Sequence, residues 1–150
     1  MTTYDLNTIL DDWDKDSRIG SDLSEASTKT PLLHAKYLRL YSEVKLRLRM
    51  QENNQKKLLK AKWLYYNGKM PKEDIDKRGW AYDPFDGMSK PLKGDMDYFY
   101  ESDDEIVQSE DKIQYYKNML ETLKEILNNI TWRHQTLRNA IEYKKFESGM

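Results

Sequence analysis

The sequence predicts an all-α protein: an elongated protomer of two long helices plus a short N-terminal helix. Three observations carry that expectation. No Pro or Gly interrupts the chain between Pro31 and Gly68. From Ile113 onward, apolar side chains recur at alternating steps of three and four, the spacing of a helical seam. All three Pro after Pro31, and three of the six Gly, fall within residues 69–102, which separates two helix-forming regions. With 150 residues, one domain spanning 1–150 is expected. A hydrophobic share of 38% and mean hydropathy of −0.96 are low for a globule, but 12% aromatic content and regular Leu and Ile spacing argue against disorder.

The first element runs from about residue 4 to 13, where Leu6, Ile9, Leu10 and Trp13 keep helical spacing. Asp11, Asp12, Asp14 and Asp16 follow, yet a calcium loop is excluded. Counted from Asp12, its Gly and Glu positions hold Ser17 and Leu23. The second helix is expected over about 31–67, with Thr30 as the N-cap, Pro31 at the first helical position and Gly68 as a left-handed stop. At 1.5 Å per residue it would extend about 54 Å. Tyr37, Tyr41, Val44, Leu48, Leu59 and Tyr66 fall on one arc, whereas Lys45, Arg49, Lys56 and Lys60 form a separate stripe with Trp63. Residues 69–102, with DPFDG and KPLKGD, read as an acidic loop with room for a hairpin or a short helical turn.

The last helix is expected over about 103–146, roughly 66 Å long, with Asp103–Glu105 at its positive end. Its seam comprises Ile113, Tyr116, Leu120, Leu123, Leu127, Ile130, His134, Leu137, Ile141 and Lys144. A compact globule of this length has a diameter of roughly 38 Å, so neither long helix fits inside one unbroken. The seams must therefore be covered by other subunits, and an obligate homo-oligomer follows. Leu127, Ile130, His134, Leu137 and Ile141 are its candidate contact residues, with His134 as a polar layer.

The net charge of −1 hides segregation: −4 over residues 1–30, +9 over 31–72, −9 over 73–111 and +3 over 112–150. A block of +9 is suited to phosphates. The absence of Cys excludes disulfides, thiolate metal sites and Cys nucleophiles, and makes a reducing cytosol the natural setting. No run of 18 apolar residues spans a membrane, and the acidic N-terminus lacks a signal peptide's pattern. There is no GxGxxG, GxxxxGK[ST], HExxH or GxSxG. His34 and His134 stand 100 residues apart, so no metal and no cofactor are expected. The chain reads as a non-enzyme.

The informative stretch is KKLLKAKWLYYNGK, Lys56–Lys69, where five lysines interleave with Trp63, Tyr65 and Tyr66. Lysines neutralise phosphates and aromatic faces stack on bases, a pairing suited to single-stranded nucleic acid. Lys62 falls on the apolar arc between Leu59 and Tyr66, where a cation should face an anion, a partner or an aqueous channel.

The segment LLKAKWLYYNG, Leu58–Gly68, resembles the signature helix of the UvsY family, recombination mediators of T-even-type bacteriophages, which reads approximately L-K-A-[RK]-x-x-Y-Y-x-G. Ser27–Lys29 (STK), His34–Leu38 (HAKYL) and the KKFESGM ending are similar to further family features in the same order, so the resemblance covers nearly the whole chain. It implies a homo-oligomeric ring, a hexamer or heptamer, that binds single-stranded DNA. It also implies a mediator that weakens the grip of the phage single-strand-binding protein and loads a UvsX-like recombinase, in the cytoplasm of the infected host. The motif's basic pair falls on Lys60 and Lys62. Neighbouring Lys56, Lys57, Arg49, Lys69 and Trp63 join them from the residue reading. A structural or adaptor coiled coil, its basic stripe paired with a neighbour's 73–111 segment, is the alternative. An electrostatic membrane-surface binder is weakest, because no wide apolar stripe flanks the lysines.

Overall fold

The computed structural model describes residues 5–149, and among them it contains five helices and no strand. These are α1 (Leu6–Asp16), α2 (Leu23–Tyr66), α3 (Lys72–Arg78), α4 (Met96–Ser102) and α5 (Asp104–Glu147). Of the expected first element, Tyr4 lies outside the described residues. The chain forms two compact units: unit 1 comprises Met1–Arg47 with Tyr116–Met150, and unit 2 is Leu48–Tyr115. Both long helices contribute residues to both units.

In unit 1, Ile9 of α1, Tyr37 and Val44 of α2, and Met119, Leu123, Ile126 and Ile130 of α5 form one buried cluster. Leu33, Leu40, Tyr116, Leu120 and Leu127 pack partly buried against it. Trp13 meets the Tyr37 ring edge-on at 5.4 Å. The Tyr37 hydroxyl donates to Asp16 Oδ2 at 2.8 Å, and Lys36 Nζ donates to the same oxygen at 2.6 Å. Burial disfavours the Asp16 anion, but these two donors outweigh it and hold the carboxyl below its ordinary value.

Two expectations about the long helices are corrected here. Helix α2 begins at Leu23, eight residues before Pro31. The Asp22 carboxylate accepts the Glu25 N–H at 3.0 Å and so caps the helix, while the Thr30 hydroxyl donates backward to the Ala26 carbonyl at 3.0 Å. Pro31 thus stands inside the helix. On α5 the buried stripe runs Ile113, Met119, Leu123, Ile126, Ile130, Arg133 and Leu137. Leu120, Leu127 and His134 flank that stripe. The polar member of the stripe is Arg133, whose Nη1 donates to the Ser17 carbonyl at 3.2 Å.

Unit 2 is aromatic. Tyr65, Tyr66, Ile75, Phe85 and Met96 form its core, with Met70, Trp80, Phe99 and Tyr100 packed against it. Ring pairs link Tyr65 to Trp80 at 4.9 Å, Tyr66 to Tyr100 at 5.4 Å and Phe85 to Phe99 at 5.2 Å. The segment expected as an acidic loop carries α3 and α4 and supplies most of these rings. Helix α3 is locally well specified: Glu73 and Asp74 lie in its first turn, Lys77 and Arg78 in its last, and Gly79 leaves it at φ 71°.

Candidate functional site

The last three turns of α2 divide cleanly. Ala61, Lys62, Tyr65 and Tyr66 are buried in unit 2, whereas Lys56, Lys57, Leu59, Lys60 and Trp63 are exposed. The Gly68 N–H bonds to the Tyr65 carbonyl at 3.2 Å and the Lys69 N–H to the Leu64 carbonyl at 2.8 Å, a left-handed closure with Gly68 at φ 68°. This closure turns Lys69 back along the helix, so its ammonium lies 4.6 Å from the centre of the Trp63 ring. Trp63 itself is 46% exposed. Arg49 is exposed two turns before Lys56.

Lys62 departs from its expected role as a surface contact. It retains 4% exposure, and its ammonium bonds to Asp103 Oδ2 at 3.0 Å with Glu105 Oε1 at 3.7 Å. The Trp80 ring covers it at 3.8 Å, and the Trp80 indole N–H donates to Glu105. The apolar arc carries a cation because an anion from the start of α5 meets it inside unit 2.

Asp103 is the centre of that arrangement. Its Oδ2 also accepts the Tyr66 hydroxyl at 2.6 Å, while Oδ1 accepts the N–H groups of Glu105 at 3.0 Å and Ile106 at 3.1 Å, capping α5. Burial opposes its charge, but the Tyr66, Lys62 and Ile106 donors prevail and hold the carboxyl below its ordinary value. Burial and the Asp103 anion together push the Tyr66 hydroxyl well up, keeping it a donor. The cluster ties the end of α2 to the start of α5 within unit 2.

Residue reasoning missed a second wall of cations. Lys57, Lys60, Ala61 and Leu64 of α2 face Met70, Asp74, Lys77 and Arg78 across a cleft of about 490 Å³. Lys77 and Arg78 belong to the acidic 73–111 segment, whose net charge hid them. The signal that could have found them is their place in a last helical turn just before Gly79.

The expected contact residues on α5 separate. Ile130 and Leu137 are buried within unit 1, Leu127 is half-buried, and His134 and Ile141 are exposed. Ile130 and Leu137 are therefore corrected to core residues, because the covering side chains belong to the same protomer. Tyr143 and Phe146, further along α5, are largely exposed. Among the described residues, no group of three or more acidic or His side chains is placed to hold a metal ion, and no helix is long and apolar enough to cross a membrane.

The chain is similar in fold to bacteriophage T4 recombination mediator protein UvsY, as seen in several crystal lattices. The type II form has a TM-score of 0.76 at 21% identity, covering 97% of this chain and 99% of that one. The type IV form gives 0.77 at 20%, with 96% and 99% covered, and the type I form gives 0.78 at 21%, with 93% and 98%. No curated protein matches. The family model described as recombination, repair and ssDNA binding protein UvsY matches residues 12–150, nearly the full length, and the chain belongs to the UvsY family.

Proposed function

We propose that this protein is a single-stranded-DNA-binding recombination mediator of a phage. In this reading it works as a homo-oligomer in the infected host's cytoplasm and helps load a UvsX-like recombinase onto DNA coated by single-strand-binding protein. Membership of the UvsY family supports the reading. The observation that carries it is the outward face of α2, where Lys56, Lys57 and Lys60 are exposed beside a half-exposed Trp63. None of these lysines has a carboxylate within ion-pairing distance among the described residues, whereas Lys29, Lys36 and Lys62 are all paired. Unpaired cations on one helix face are free to neutralise phosphates, and Trp63 offers a stacking surface for a base. Arg49 and Lys69 extend the tract in both directions. Lys62 acts differently, as a positioning residue that holds this end of α2 against α5.

In a homo-oligomer the tract would be repeated once per subunit. A strand following several copies gains avidity without any single tight contact, which suits a mediator that must later release DNA to a recombinase.

The test is a fluorescence-anisotropy titration of a labelled oligonucleotide at several salt concentrations. Tight binding with a steep salt slope is expected. Lys56→Ala with Lys60→Ala should lower the slope by about 0.7 for each lost phosphate contact and leave the fold intact. Absence of binding even at low salt would remove the reading in favour of a structural or adaptor protein.

A further inference from the structure

Four unpaired cations converge on one cleft in unit 2, and the cleft wall is not uniformly charged. Lys57 and Lys60 come from α2, and Lys77 and Arg78 from the last turn of α3. The floor is apolar, made of Ala61, Leu64 and Met70, and one carboxylate, Asp74, completes it. Like charges brought together without counterions repel, and no ion pair in the described residues relieves them here. Asp74 is the one carboxylate lining the cleft and is ion-paired with none of the four cations, so the excess of positive charge leaves a place for an anion from outside. Inorganic phosphate would satisfy the cations but would meet an apolar floor and a repelling carboxylate. A nucleotide uses all three features. Its phosphate meets the cations, its base lies on the floor, and a base amino group donates to Asp74. The volume of about 490 Å³ is within the range of small-molecule pockets.

We infer that this cleft receives one nucleotide of the bound strand per subunit, with Lys77 and Arg78 as strand-binding residues beside Lys57 and Lys60. The inference rests on the strand-binding reading above and assigns it a specific place. Arg78 is held for the task by the Trp80 ring, 5.0 Å from its guanidinium carbon, which limits the freedom lost on binding. Within α3 the acidic side chains Glu73 and Asp74 lie in the first turn and Lys77 and Arg78 in the last, so its C-terminal end presents the cations.

The experiment compares a labelled single-stranded oligonucleotide with an abasic strand of the same length, using the full chain over a salt series. The wild type should bind the base-bearing strand more tightly than the abasic one. Lys77→Ala with Arg78→Ala should weaken binding roughly tenfold and lower the salt slope by about 1.4 per subunit. Met70→Gln should narrow the difference between the two strands while keeping the slope. Because Arg78 touches Trp80, Lys77→Glu, a change at an exposed position, serves as the second variant and should weaken binding further still. Wild-type binding with an unchanged slope in both Lys77 variants overturns the cleft and leaves the strand-binding reading standing. A wild type that binds neither strand overturns both. Loss of self-association in the Lys77 variants with DNA binding unchanged would overturn it too, identifying the occupant as an acidic segment of a second copy.

Discussion

Lys62 shows how a single residue can be noticed in a sequence for a sound reason and still be given the wrong partner. The helical wheel placed a cation among apolar neighbours, where an anion, a partner or an aqueous channel was expected, and of these three the structure supplies an anion. The anion is Asp103, far along the chain, and no local pattern connects the two positions. Removing one member of a buried pair leaves the other charged and unpartnered, at a cost of about 3–5 kcal/mol. Lys62→Ala should therefore lower the urea midpoint of the protein strongly, where Lys60→Ala, at an exposed position, should leave it nearly unchanged. Lys62→Met with Asp103→Asn should recover much of the loss, since Asn keeps an oxygen for the N–H groups at the start of α5 while abolishing the charge. The same pair predicts a pH effect. Asp103 ionises more readily folded than unfolded, so the unfolded chain binds more protons as acid is added. Its contribution is complete above the unfolded value of 3.8 and is lost as pH falls through the lower folded value. Acid unfolding of the double variant should lack that component.

For the two long helices, existence was legible and the start of α2 was not. A Thr-Pro pair is a strong start signal, yet it loses here to Asp22-Leu23-Ser24-Glu25, an equally regular signal eight residues earlier. Ala26, in the first turn so gained, is buried. The result is a Pro inside α2, which deprives the Ser27 carbonyl of its helical donor. Pro31→Ala should restore that bond and stabilise the protein by on the order of 1–3 kcal/mol, read as a rise in thermal midpoint. A different ambiguity shifted the seam of α5. Leu123, Ile130 and Leu137 can be joined by steps of three and four through Leu120, Leu127 and His134, or through Met119, Ile126 and Arg133. The second set faces the core, and the sequence pattern alone favours neither. The two short helices of unit 2 were obscured by net charge, although Pro71, Lys77, Arg78 and Gly79 mark both ends of α3.

At the scale of the molecule, the proposed homo-oligomer would use what unit 1 leaves uncovered. Leu137 is core, so a carboxylate there would damage folding and association together. Tyr143 and Phe146, 64% and 80% exposed, are the cleaner probes. Tyr143→Glu with Phe146→Glu should shift sedimentation to smaller species while the far-ultraviolet circular dichroism is kept, and strand affinity should fall as avidity is lost. The division into units also has a meaning in time. Unit 2 is one continuous stretch, complete once Tyr115 has been made, whereas unit 1 needs both arms of the chain. During synthesis, at about 5–20 residues per second, Ile9, Tyr37 and Val44 leave the ribosome well before Met119–Ile130 exist to cover them. The segment with the basic face can settle first. The apolar face of the nascent N-terminal arm stays open to chaperones, or to the arm of another nascent chain on the same message, until the C-terminal helix emerges.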